Sequence, residues 1–114
     1  ARPGNLLAEL CGAVEAHVKP HGFTVVREFV GHGVGRNLHE EPQVPNYRPS
    51  GRSPKLRPGM VLAIEPMLNL GRRNVITDKD GWTVRTSDGS ISAHFEHMVL
   101  VTESNPEILT WQKM

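Results

Sequence analysis

Apolar residues at Leu7, Leu10, Cys11, Val14 and Val18 recur at the spacing of one helical face, which predicts an amphipathic helix lying on a core. Asn5 is placed to cap its first turn, and Pro20 with Gly22 ends the pattern. Residues 23–30, rich in β-branched and aromatic side chains, predict a strand. The pattern then dissolves into glycines and, over residues 43–58, into four prolines (Pro45, Pro49, Pro54, Pro58) among polar residues. That composition predicts a long surface loop, of a length often tied to function. After Pro58-Gly59 the periodicity is that of strands: 60–64, 75–77, 82–86 and 91–102, separated by the turn signals Asp78-Lys79-Asp80-Gly81 and Ser87-Asp88-Gly89. Strands so closely spaced pair antiparallel. The expected fold class is therefore α+β, one helix packed on an antiparallel sheet.

The chain of 114 residues is long enough for one domain and too short for two. Thirteen basic against twelve acidic residues leave a net charge of +1, which gives no reason to expect a nucleic-acid or membrane partner. No run approaches the roughly 18 apolar residues of a membrane span. A single cysteine, Cys11, cannot form an intrachain disulfide and fits a reducing compartment, so a cytoplasmic location is expected and Cys11 should be a buried, inert helix residue. The opening ARPGN carries neither an initiator methionine nor a charged-then-apolar signal, and the chain is expected to begin inside something longer.

Chemistry concentrates in GHGVGRNLHEEP, residues 31–42. A dinucleotide fingerprint would need glycine where Arg36 stands, and a phosphate-binding loop would need Gly-Lys-Ser/Thr, so neither phosphate motif fits. A plain turn accounts for the glycines but not for His32 between two of them, nor for a second imidazole, His39. Elsewhere, Glu65 ends the apolar run 60–64 and Glu96 lies late in the 91–102 pattern. Burying an isolated carboxylate costs on the order of several kcal/mol, so these positions call for a cation, a hydrogen-bond network or solvent on that face. One imidazole and two carboxylates form a suitable nitrogen/oxygen site for a divalent first-row metal. Asp78, Asp80 and Asp88 read as turn residues. His17 and His21 read as helix-end residues, His97 as facing away from Glu96, and His94 as sharing its face and supporting it. Trp111 and Met67 read as packing residues.

The blocks GHGVGRNLHEEPQVPNY, LRPGMVLAIEPMLN, DGWTVRTSDGSISAHFEHMVLVT and EILT resemble, in order and spacing, the C-terminal half of bacterial type I methionine aminopeptidases. The resemblance covers essentially the whole chain. It implies half of a pita-bread fold, with residues 1–114 as the C-terminal part of a single catalytic domain whose N-terminal half is absent. It implies that His32, Glu65 and Glu96 are metal ligands, with Glu96 bridging two ions and Glu65 also accepting a proton. It further implies that His39 contacts the substrate and stabilises the tetrahedral intermediate, and that Trp82 borders the methionine pocket. The implied reaction removes the N-terminal methionine from nascent chains with a small second residue, using two divalent ions (cobalt, manganese, iron or zinc). The nascent chain and the ribosome are the implied partners.

Two departures accompany the resemblance. Leu38 stands where such enzymes often carry phenylalanine, which changes one wall of the pocket. The family's two aspartate ligands and a further catalytic histidine belong to the N-terminal half, so this chain is expected to hold at most one ion and to be a fragment of a larger enzyme or to need a second polypeptide. The alternatives are a non-catalytic binding module of the same fold and a proline-directed peptidase resembling prolidase or aminopeptidase P.

Overall fold

The computed structural model describes residues 1–113. The predicted helix is α1, Leu7–Val18, followed by a single 3-10 turn, Lys19–His21, that ends at Gly22 in the left-handed conformation. Its N-terminus differs from expectation: the capping position is Leu6, not Asn5. The orphan amides find partners elsewhere. The Glu9 carboxylate accepts from the Leu6 N–H (2.7 Å), the Ser53 hydroxyl from Ala8 (2.7 Å), and the Pro54 carbonyl from Leu7 (2.9 Å). The proline-rich segment thus docks on the helix start instead of ranging freely over the surface. Leu56 at its far end is buried in a cluster with Leu7, Cys11, Val44, Leu62 and Val101.

The strands are β1 (Thr24–Val25), β2 (Gly31–Gly33), β3 (Glu40–Val44), β4 (Val61–Ile64), β5 (Met67–Asn69), β6 (Val75–Thr77), β7 (Val84–Thr86), β8 (Ser92–His94), β9 (His97–Leu100) and β10 (Glu107–Ile108). All pairings are antiparallel, in a five-stranded sheet ordered β10-β9-β4-β2-β3, a three-stranded sheet β1-β5-β8 and the ribbon β6-β7. The α+β class is the one expected. Several boundaries are not: residues 23–30 supply only the short β1, the loop expected from residue 43 begins after Val44, and β5 and β10 lack the length to show as alternation. The glycine segment is itself a strand. Gly31 and Gly33 are buried because β2 lies between β3 and β4; a Cβ on Gly31 would strike the Ala63 carbonyl, and one on Gly33 the Glu41 carbonyl.

The pattern over 91–102 is two strands in two sheets, interrupted at Phe95-Glu96, and the chain from β4 to β5 breaks opposite it at Glu65-Pro66. Ile64 pairs with His97 before the break and Met67 with His94 after it, an unchanged register that sets Glu65 opposite Glu96. Among the described residues no helix is long and apolar enough to cross a membrane.

Candidate metal centre

Three neighbouring segments deliver three side chains to one point. On β2, His32 pairs with Ala63 of β4; Glu65 lies two residues beyond Ala63, and side chains two apart on a strand share a face. Glu96 faces Glu65 across the break. One donor atom from each of His32, Glu65 and Glu96 lies within 4.8 Å of the others. His32 Nε2 is 3.3 Å from a Glu65 carboxylate oxygen, and both side chains are largely buried. The other ring nitrogen, Nδ1, donates to the Gly33 carbonyl at 2.9 Å, which leaves the Nε2 lone pair aimed at the carboxylates. Such a backbone anchor is the usual support of a metal-ligating imidazole.

The electrostatics favour a cation. Burial, and then the negative charge of Glu96, push the Glu65 carboxyl above its ordinary range, while the imidazoles of His32, His94 and His39 pull it back. Two carboxylates placed face to face without a cation repel each other. The 3.3 Å between His32 Nε2 and the Glu65 carboxylate, with all three donor atoms within 4.8 Å of one another, is close enough for one divalent ion to be shared among them. The donor set therefore fits a divalent ion.

The remaining candidates lie around this point. His39 is exposed, with its ring 4.0 Å from that of His32. An open cleft of about 780 Å³ is lined by Phe29, Met67, Thr77, Trp82, Val84 and His94 among others. Met67 and His94 each follow or precede a carboxylate by two residues, so the cleft adjoins the three donors. Trp82, 87% exposed, borders it from the turn before β7. Leu38 is also exposed and lies outside the residues that line the cleft. Met67, expected in the core, lines the cleft instead, and Trp111 is exposed near His97 rather than packed inside. Phe29 was not distinguishable in the sequence from its strand-forming neighbours; no local signal marks it.

His94 and His97 diverge as expected, although the strand is interrupted between them. His94 reaches the cleft and the field of Glu65, whereas His97 turns to Thr110 (Nδ1 to Oγ1, 2.8 Å). Asp80 and Asp88 are the turn residues expected: Asp80 accepts from Trp82 and Thr83, Asp88 from Arg72 and Ser90. The glycines beside His32 serve the close approach of neighbouring strands.

The chain is similar to known proteins over nearly its whole length. Methionine aminopeptidase 1 of Bacillus subtilis is 54% identical over 110 residues, covering 96% of this chain and 44% of that protein. The crystal structure of methionine aminopeptidase from Thermotoga maritima superposes with a TM-score of 0.93 at 50% identity, over 98% of this chain and 45% of that one. Prolidase from Pyrococcus furiosus is more distant, with a TM-score of 0.66 at 26% identity over 100% of this chain and 28% of its own. The chain spans less than half the length of each. The model of metallopeptidase family M24 matches residues 1–103, which include all three donors. With that match over nine-tenths of the chain and a donor set suited to a divalent ion, the chain belongs to metallopeptidase family M24.

Proposed function

We propose that this chain is the C-terminal part of a methionine aminopeptidase catalytic domain, acting on peptides with an N-terminal methionine and a small second residue. The observation that carries the reading is the convergence of His32, Glu65 and Glu96 from adjacent strands, in a chain about half identical to methionine aminopeptidases. Likeness to prolidase is much lower in both identity and superposition, which favours methionine over proline specificity.

His32 Nε2 and the carboxylates of Glu65 and Glu96 would hold the ion; the complete enzyme uses two, and these three residues hold at most one. A divalent ion in such a site polarises a carbonyl and makes water nucleophilic near neutral pH. Glu65, raised in pKa by burial and by Glu96, is suited to take a proton from water and pass it to the leaving amine. His39, beside His32 and exposed, is placed to donate a hydrogen bond to the developing oxyanion. The cleft bordered by Trp82 and lined by Met67 and Phe29 takes the apolar side chain, and Leu38, next to His39, meets the substrate as it enters. The missing ligands come from a second half, and the partner substrate is a nascent chain at the ribosome in the cytoplasm.

Two measurements test this. Titration of the chain with manganese should give one site, lost in His32→Ala and Glu65→Ala; binding unchanged in both variants would remove the metal centre. Methionine release from Met-Ala-Ser should require the addition of an N-terminal half from a relative. Equal release by the isolated chain would refute the division of ligands, and release only from Xaa-Pro peptides would refute the specificity.

A further inference from the structure

We propose that Thr110 is a positioning residue for Glu96, acting through His97 and Met98; the proposal rests on the metal-centre reading above. Glu96 lies in the break between β8 and β9, outside either ladder. On one side it is held through the Phe95 N–H, which donates to the Pro66 carbonyl at 3.2 Å. On the other side the chain is held at the start of β9, one edge of which pairs with β4 and the other with the C-terminal segment.

That segment does more than add the short strand β10. Past Ile108, Leu109 N–H donates to the Met98 carbonyl at 2.8 Å. Where a continuing strand would offer a backbone carbonyl to the Met98 N–H, the acceptor is instead the Thr110 hydroxyl, at 3.1 Å. The same oxygen is 2.8 Å from His97 Nδ1. An N–H can only donate, so the hydroxyl accepts from Met98, and it forms a second hydrogen bond with the His97 ring whose direction follows the ring tautomer. The one hydroxyl thus holds both residues that directly follow Glu96. Trp111 N–H closes a turn onto the Ile108 carbonyl at 3.4 Å, with its ring 6.1 Å from the His97 ring. The carboxylate facing Glu65 is therefore aimed by a hydroxyl 14 residues downstream.

The experiment compares Thr110→Val, Thr110→Ser and Thr102→Val in the full 114-residue chain. Thr102 is the control: its hydroxyl, two residues past the other end of β9, accepts from Ser104 and donates to the Asn105 carbonyl without touching the ligand segment. Manganese affinity should fall about 10-fold in Thr110→Val, the lower end of the effect of losing support behind a ligand. It should return to within about twofold in Thr110→Ser and stay unchanged in Thr102→Val. Wild-type affinity in Thr110→Val, or an equal loss in Thr102→Val, would overturn the proposal, the latter by showing general destabilisation. A wild-type chain that binds no manganese would refute the metal centre instead. Amide exchange then decides: faster exchange at Glu96 and His97 in Thr110→Val alone supports the clamp, and unchanged exchange overturns it.

Discussion

Replacing Gly31 by alanine tests the claim that the glycines beside His32 exist for strand packing. Gly31 is not at positive φ, so the cost of a side chain there is steric. The added methyl would collide with the Ala63 carbonyl oxygen, with the Ala63 carbonyl carbon and the Val44 oxygen each at 3.2 Å. These neighbours are backbone on both flanking strands, so no rotamer change relieves the clash. Overpacking of this kind costs about 1–3 kcal/mol, and letting β2 move away breaks one or two ladder hydrogen bonds at about 1 kcal/mol each. The expected destabilisation is about 2–4 kcal/mol, a large share of the roughly 5–15 kcal/mol typical of a domain. In urea, with a slope of about 2 kcal/mol/M, the midpoint should drop by about 1–2 M. Because His32 is the next residue and must stay near Glu65, manganese affinity should fall in the folded variant as well. A midpoint within about 0.3 M of wild type, with metal binding intact, would refute the packing argument.

The carboxyl pair makes a pH prediction. Glu65 is raised by burial and by Glu96, so in metal-free protein its contribution to stability is present below the unfolded-state pKa and lost as pH rises through the higher folded value. Glu96→Gln should therefore raise the metal-free melting temperature at pH 7 and leave it unchanged near pH 4; an equal change at both pH values would exclude the charge repulsion. Ser53→Ala removes the acceptor of the Ala8 amide and should cost about 1 kcal/mol in chemical denaturation, with no effect if water replaces the hydroxyl. Burial pushes the Cys11 thiol up to about 11, so a thiol reagent at pH 8 should label it only as fast as the chain unfolds. Labelling on mixing would place Cys11 outside the core.

Local patterning announced the helix because five apolar positions at helical spacing form a signal contained within one short segment. It failed over residues 91–102, since a run of strand-forming residues is compatible with one strand or with two in different sheets. The break at Phe95-Glu96 is decided by which partners the two pieces find, β5 for one and β4 for the other. The same limit hid the capping of α1 by Ser53 and Pro54, more than 40 residues away, and it hid Thr110.

For the site, the sequence alone pointed to the candidate donors. An imidazole between glycines and two carboxylates at apolar strand ends are locally costly, and that cost is readable without coordinates. Only the tertiary structure decided that they meet. The unchanged register on either side of the break sets Glu65 against Glu96, and the pairing of His32 with Ala63 brings the imidazole to the same face. Residue chemistry is carried by composition and local spacing, whereas convergence depends on the order and register of strands distant in sequence, which long-range packing selects.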